Sequence, residues 1–529
     1  YIRINKEFIN LKDFIGTMKI ALINPPWYSP VPVKFQTSNL GLSYITAFVR
    51  QRGHTVIPID ALFETPETPV EIVQVPFPYQ EVHRVGMSYE HLVQQIPPDT
   101  GLVGIAGPTS NHARIIRELA AAIKQKYPSM KIIVGGPYPS AIPLDVPTLN
   151  VDYGIDGEPE VLLDKLLSGV PEKDIPGLIY NDGKEWKFNG KAELPEDLDS
   201  IPFPAREVFH CNEILDKQGV KRIREGTEIV VKKARGVPII FSRGCPYSCG
   251  FCSISLMNSK KWRYRSPENV ITELEELRDR YNVEEVAFLD DHLVGNRARL
   301  LKILTLMIEK KINIQWQLPN GVRVDYLDRE LMQKMKDSGC NSLVLGIQHG
   351  SQSMIEIMNT KLNLKKVEQI VKDAQEIGLN MAAFLIVGYP GETRKYFMES
   401  LKFYKYLGRK YGIKDWRINI ARAYPNTSLD HLCREKGYYV RKDVENLLYF
   451  PGDSTEANLQ TEDFGPEEIL WRRNYALRYL MAVENPLYWN TVYYLERMKV
   501  KDRIKRMMPE KMWNAQKKVF YDIVKKVSA

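Results

Sequence analysis

Between Val237 and about Leu429 the chain repeats one theme six times, a short apolar run followed by a helical pattern, and this alternation constrains the fold most. The runs are Pro238–Ser242, Val286–Leu289, Ile314–Leu318, Ser342–Ile347, Ala383–Val387 and Arg417–Ala421. Parallel strands need long crossovers, and a helix between each pair supplies one. The first helix is announced by Ser266 as N-cap, Pro267 at the first position, and Val270, Ile271, Leu274 and Leu277 on one face. Six such pairs predict an open barrel, two units short of the closed eightfold form, with its working face at the carboxyl ends of the strands.

A second α/β region precedes it, from Met18 to about Ser200. Lys19–Ile23 reads as a strand ending in Asn24-Pro25-Pro26, Ser43–Gln51 as a helix closed by Gly53, and Thr55–Ile59, Leu102–Ala106 and Lys131–Val134 as further strands. Ile115, Ile116, Leu119, Ala122 and Ile123 recur at helical spacing, one face of an amphipathic helix. The pattern predicts a doubly wound, Rossmann-like parallel sheet. Its binding rim is expected in the loops that follow the strands: Asn24 and Pro25, Gly107 to Ser110 with Thr109, Gly135-Gly136-Pro137, and Gly157-Glu158. None is a G-x-G-x-x-G fingerprint, so nothing favours a dinucleotide. Ile179–Phe188, broken by Asp182-Gly183, predicts a hairpin, and Ile201-Pro202-Phe203-Pro204 an extended linker. The expected division is 1–17 as an N-terminal extension, 18–200 as the Rossmann-like domain, 201–236 as a linker, 237–436 as the partial barrel and 437–529 as a helical, basic C-terminal domain.

Composition narrows the partners. Of the 529 residues, 44% are hydrophobic and 26% charged, an ordinary folded chain. The formal charge of +8 resides in Arg497–Ala529, where eleven Lys or Arg face three acids; the remainder balances at 62 to 62. The main body therefore gives no reason to expect nucleic acid. The basic tail reads first as a solvated helix face, and it leaves room for peripheral contact with an anionic membrane surface. No apolar run is long enough to span a bilayer, and Tyr1 to Phe14 alternates charged with apolar groups, so a cytoplasmic protein is expected.

Six cysteines are too few for a disulfide scaffold, and three of them lie together in Arg243-Gly244-Cys245-Pro246-Tyr247-Ser248-Cys249-Gly250-Phe251-Cys252. This C-x3-C-x2-C immediately follows the first of the six strands, at the barrel mouth. Three thiolates can ligate three irons of a [4Fe–4S] cubane and leave the fourth open. Zinc, the competing reading, calls for a fourth ligand and usually for paired spacing. Cys211, Cys340 and Cys433 read as small buried residues.

The cysteine segment resembles the cluster loop of the radical S-adenosylmethionine (SAM) superfamily, with Phe251 at the aromatic position before the last cysteine. Further similarities are Phe288-Leu289-Asp290-Asp291, Leu345 to Ser351, Gly388-Tyr389-Pro390-Gly391-Glu392-Thr393 and Tyr424-Pro425-Asn426-Thr427. The N-terminal sheet, with Asn24-Pro25-Pro26, Gly135-Gly136-Pro137 and Asp152 to Glu158, resembles the cobalamin-binding domain fused to one branch of that superfamily. The resemblance implies three cofactors: a [4Fe–4S] cluster held by Cys245, Cys249 and Cys252, SAM, and cobalamin. It implies reductive cleavage of SAM to methionine and a 5′-deoxyadenosyl radical, hydrogen abstraction from an unactivated carbon, and methyl delivery from methylcobalamin. Ring closure or oxidation without methyl transfer is the alternative within the same fold, and an iron–sulfur electron-relay module the alternative from another class.

Site roles follow from the resemblance. Phe251, Asp290, Asp291, Arg323, Gln348 and Gly388 fall at strand ends around the mouth, where they are assigned to the nucleoside; Gln348 stands where many relatives carry a carboxylate. Asn24, Pro25, Thr109, Ser110, Gly135, Gly136, Pro137, Gly157 and Glu158 are assigned to cobalamin, and His349 and Tyr389 are the candidate substrate contacts or proton donors. Asp290, His292 and Gly295 spell D-x-H-x-x-G, a pattern in which histidine ligates cobalt, but they lie in the barrel rather than the N-terminal sheet. The match is therefore read as accidental, and cobalamin is expected to lack a histidine lower ligand. An external electron donor is expected. The expected substrate is a small molecule, lipid, tetrapyrrole or peptide, and the aromatic composition of the C-terminal segment, with Tyr479, Trp489, Tyr493, Tyr494 and Trp513, leads to the expectation of a cover over the barrel mouth.

Overall fold

A computed structural model describes residues 17–29, 39–63, 81–217, 235–257, 260–440 and 457–481, together with the backbone of short strands at Ile2–Ile4, Glu7–Ile9, Val70–Gln74, Ile223–Arg224 and Thr227–Glu228. In the N-terminal region, strands β1 (Lys19–Asn24), β2 (Thr55–Asp60), β3 (Leu102–Ala106), β4 (Lys131–Gly135) and β5 (Tyr153–Ile155) form a parallel sheet in the order β5-β4-β3-β1-β2. Alternation along each strand divides the burial. Ala21 and Ile23 face Ile116, Leu119 and Ile123 of helix α2 (Ala113–Lys126). Ile20 and Leu22 face Leu42, Phe48 and Leu162, from helices α1 (Leu40–Gln51) and α3 (Pro159–Leu167) on the other side. A sheet buried on both faces needs continuous apolar strands, which is why these runs were readable.

The chain reverses strand order between β1 and β3, so the loops after these two strands flank the switch point. The predicted hairpin extends the sheet antiparallel as β6 (Leu178–Asn181) and β7 (Trp186–Phe188). Two features were not predicted. Strand β5 carries Gly154, a poor strand former, because a Cβ there would come within 2.7 Å of the Val146 side chain. Trp27–Ser29, Val70–Gln74 and Glu81–Val85 make a small antiparallel sheet beside the first.

The six strands of the second region, β8 (Gly236–Ile239), β9 (Glu285–Phe288), β10 (Gln315–Gln317), β11 (Cys340–Gln348), β12 (Met381–Val387) and β13 (Asp415–Ile420), pair in parallel in chain order. Helices α4 (Pro267–Tyr281), α5 (Arg297–Glu309), α6 (Arg329–Asp337), α7 (Leu364–Ile377) and α8 (Arg394–Tyr411) cross between them. Ser266 caps α4 by accepting from the Asn269 amide at 3.1 Å. After β13 come α9 (Ser428–Lys436) and α10 (Pro466–Met481), the latter packed on β13 and α8. The segment after the Pro-rich linker is not free: Cys211 and Leu215 are buried in the barrel core, and Arg206 donates to Glu273 at 2.8 Å.

No helix among the described residues is long and apolar enough to cross a membrane. Trp489, Tyr493, Tyr494, Trp513 and the basic run Arg497–Ala529 lie outside the described residues, and with them the expected membrane contact and the rest of the expected cover, while Tyr479 lies on α10, half-buried against the barrel core. Of the 1–17 extension, two antiparallel strands are described, Ile2–Ile4 with Glu7–Ile9.

At the centre of the barrel core, Trp316 is fully buried, stacks on Phe288 at 4.8 Å, and donates its indole N–H to Ser338. Trp316→Ala is expected to cost about 3–5 kcal/mol, read as a lowered midpoint of urea unfolding.

Candidate functional site

The loop bearing the three cysteines leaves β8 and is anchored at both ends. Asp290, after β9, accepts from the Phe241 amide at 3.2 Å and from Ser242 Oγ at 2.6 Å, and is almost wholly buried. The expected nucleoside contact is thus a brace for the strand end, and burial holds its carboxyl above the ordinary range. Asp291 receives the Gly244 amide at 3.3 Å; burial, then the adjacent Asp290, pushes it up to about 6. Farther along, Gly250 donates to the Met358 carbonyl at 3.0 Å and accepts from Leu429 at 2.8 Å, while Asn359 donates to the Ser248 carbonyl at 3.0 Å. A Cβ on Gly250 would collide with the Tyr389 hydroxyl, which places Tyr389 directly against the loop. Burial pushes the Tyr389 phenol up to about 12.

Cys245, Cys249 and Cys252 are free and half-buried. Burial raises all three thiols, Cys252 to about 12, so iron must displace their protons on binding. Among the described residues no three His, Cys, Asp or Glu side chains converge where one metal ion could sit. Ligands of a single zinc would have to converge; a cubane takes each thiolate on a different iron and makes no such demand. Phe251 lies half-buried against the barrel core.

Tyr247, between the first two cysteines, sits in an aromatic box that the sequence did not foretell. The Arg323 guanidinium lies 3.7 Å from its ring centre, Tyr326 shares a hydrogen bond with its hydroxyl, and His292 meets it edge-on at 5.5 Å. Arg323, expected on the nucleoside, spends its donors on Asp325 at 2.8 Å and the Thr360 carbonyl at 3.0 Å. His292 is buried, pushed down to about 4 chiefly by that burial, and a Cβ on Gly295 would come 2.8 Å from its ring. The D-x-H-x-x-G string is therefore a packing unit inside the barrel.

Strand β11 ends in a register shift and a non-glycine residue in the left-handed region, Gln348 at φ +68°. The next residue, His349, is fully buried. Its Nδ1 accepts from the Ser351 amide at 3.0 Å, so its Nε2 carries the proton and donates to Glu392 at 3.0 Å. Glu392 also accepts from the Gly388 amide at 2.7 Å and from Arg472 of α10 at 3.0 Å. His349, Glu392 and Arg472 are all 0% exposed at their side chains. His349 is thus a buried link rather than a group facing substrate. Gly388, expected on the nucleoside, is left bare for α10: a Cβ there would come 2.7 Å from Ile469.

The rim of the N-terminal sheet is tied together by its own short bonds. Asn24, followed by Pro25, donates to Asp60 at 2.7 Å and accepts from Asn39 at 3.0 Å. The Gly107 amide donates to the Gly135 carbonyl at 2.7 Å, and Gly136 holds φ +115° where a Cβ would come 2.9 Å from the Gly107 carbonyl oxygen. Pro137 opens the short helix Pro137–Ala141, whose Ser140 hydroxyl receives the Gly157 amide at 2.9 Å. Thr109 bonds His112 at 3.1 Å, and His112 stands edge-on to Trp27 at 4.7 Å, pushed down to about 4 by burial. Between them, after half-buried Ser110, Asn111 is 4% exposed with neither amide atom partnered. Neither Asn111 nor His112 carried a sequence signal beyond its place after β3. Glu158 is not on the rim's open side; Arg243 and Arg263 hold its carboxylate.

The two carboxyl edges meet. Pro137–Ala141 packs against Ile254–Met257, just past the last cysteine, and Asn426 donates to the Ala141 carbonyl.

Comparison with known proteins agrees with this layout. The family model for the radical SAM superfamily matches residues 239–404, and that for the B12 binding domain matches residues 31–167. An uncharacterized methyltransferase of Pyrococcus horikoshii is 29% identical over 427 residues, covering 78% of this chain and 82% of its own. Cytidylyl-2-hydroxyethylphosphonate methyltransferase of Streptomyces wedmorensis is 26% identical over 449 residues, covering 78% and 80%. The radical SAM methyltransferase TsrM of Kitasatospora setae, solved with cobalamin and a [4Fe–4S] cluster, superposes with a TM-score of 0.61 at 18% identity, over 80% of this chain and 76% of that one.

Two outcomes follow from the buried groups. Arg472→Met strands the Glu392 carboxylate and is expected to cost roughly 3–5 kcal/mol, with Arg472→Met/Glu392→Gln recovering more than half; chemical denaturation measures both. His112 titrates near 4 when folded against an ordinary value of 6.5. The unfolded chain therefore binds the extra proton between those values, and stability is complete above pH 6.5 and falls as pH drops toward 4. His112→Gln should remove about 2–3 kcal/mol of that acid sensitivity, seen by comparing unfolding midpoints at pH 7 and pH 4.5.

Proposed function

Because the chain belongs to the cobalamin-binding branch of the radical SAM superfamily, we propose that it transfers a methyl group to an unactivated carbon of a small-molecule substrate. The observation that carries this reading is the contact between the segment just past the three cysteines and Pro137–Ala141, at the carboxyl edge of a doubly wound sheet. The residues fit the groups concerned. Cys245, Cys249 and Cys252 offer three free thiols and no fourth on the same loop, which leaves one iron of a cubane for SAM. Asn111 offers an unpartnered buried amide at the rim, matched in chemistry to the amide-fringed edge of a corrin. When bound, the cluster and cobalamin supply reductive cleavage of SAM and methyl transfer to carbon.

The chain's own residues do the positioning. Asp290 and Asp291 fix the entry to the cysteine loop, Gly250 fits it against Tyr389, and Arg323 packs on the ring of the loop's own Tyr247. Gln348 and Phe251 are the mouth residues assigned to the nucleoside, and Tyr389, with its hydroxyl at the loop, is the candidate proton donor. His349 acts through Glu392 as a positioning residue. An external one-electron donor completes the system, and the substrate is sought among lipids, tetrapyrroles and peptides.

Protein purified anaerobically from cells supplied with cobalamin is expected to hold about four irons and stoichiometric cobalt, by elemental analysis. The reduced protein should form 5′-deoxyadenosine and S-adenosylhomocysteine together, and Cys252→Ala should abolish both. 5′-Deoxyadenosine without S-adenosylhomocysteine would overturn methyl transfer in favour of ring closure or oxidation. An intact cluster that never cleaves SAM would leave an electron relay.

A further inference from the structure

Arg243 immediately precedes Gly244 and Cys245, and its guanidinium reaches across to the other sheet. It donates to Glu158 at 2.9 Å and to Glu160 at 2.8 Å, while Arg263, paired antiparallel with the Arg243 strand, also holds Glu158. The side chains of Arg243, Glu158, Glu160 and Arg263 are 16%, 9%, 4% and 4% exposed. Arg243 further lies 5.4 Å from the Tyr44 ring on α1. Two buried cations and two buried anions balance across the seam, so neither side can withdraw without stranding charge. On one side, Arg243 stands two residues before the first cysteine. On the other, Glu158 follows Gly157, a rim residue at φ +126°, and occupies the N-cap position of α3, its side chain turned to the two arginines rather than to the helix.

We propose that Arg243 is a positioning residue that couples the cysteine loop to the rim of the N-terminal sheet, so that the iron–sulfur cluster and cobalamin each bind more tightly when the other is present. The inference rests on the cofactor reading given above. Thiolate ligation fixes the loop from Gly244 to Cys252, and a fixed loop fixes the Arg243 guanidinium. The fixed guanidinium in turn holds Glu158 and Glu160 at the start of α3, and with them Gly157. The ordering cost of the rim is then met once, by whichever cofactor arrives first. Linkage makes the effect reciprocal and equal in both directions.

The test uses the full chain, with the cluster removed or reconstituted, and follows hydroxocobalamin binding by absorbance titration. The cluster is expected to tighten cobalamin binding by about tenfold. Arg243→Gln/Glu160→Gln removes one cation and one anion and leaves the Glu158–Arg263 pair intact. In it both cofactors should bind but the ratio of the two dissociation constants should fall to within about twofold of unity, below the coupling range of about fivefold and more. Arg243→Lys, which keeps the charge but cannot bridge two carboxylates, should give an intermediate ratio and serves if the double variant does not fold. Equal affinities in the two wild-type forms, or a ratio unchanged in these variants, would overturn the coupling and leave the proposed function standing. Failure of cobalamin to bind any form would overturn both.

Discussion

Buried charge must be matched, and three seams of this chain are closed by arginine–carboxylate groups that meet that condition. Arg206 and Arg265 hold Glu273 and so fasten the post-linker segment to the barrel's first helix. Arg243 and Arg263 hold Glu158 between the two sheets, and Arg472 holds Glu392 between the barrel and the C-terminal helix. Apolar packing would join such surfaces with equal stability but tolerate sliding. Fork-shaped guanidinium contacts to a planar carboxylate fix register, because a displaced partner leaves a desolvated ion behind.

This division of labour explains how much could be read from the sequence. Strands β1, β3 and β4 are largely apolar runs that end at glycine or proline, β2 mixes apolar with polar residues, and all six barrel strands alternate with amphipathic helices, so periodicity located them. Strand β5 escaped because its glycine answers to Val146. The cysteines were legible because their chemistry is contiguous in the chain. Asp290 and His349 fall just past strand ends, as read, while Arg323 lies beyond β10 at the start of the short helix Val324–Tyr326, and position along a strand does not say which way a side chain turns. Asp290 turns back to Ser242, and His349 finds Glu392 across 43 residues. Arg472 lies 80 residues beyond its carboxylate, in a helix whose pattern reveals burial but no partner.

The candidate site is accordingly two kinds of structure in one place. Its reactive portion is a short loop of free thiols; its accuracy comes from backbone bonds to Met358 and Leu429 and from rings around Tyr247. Asn111 stands apart from this pattern, buried with neither atom of its amide partnered.

The barrel's incompleteness has a mechanical meaning. In a closed ring every strand is shared by two ladders, and a change of radius strains hydrogen bonds all the way round. Here β8 and β13 each end the row, with α10 laid against β13. An arc with two ends can flatten or tighten by small changes of twist at each of its five ladders while every bond stays made, so the width of its mouth is a soft coordinate and its wall a stiff one.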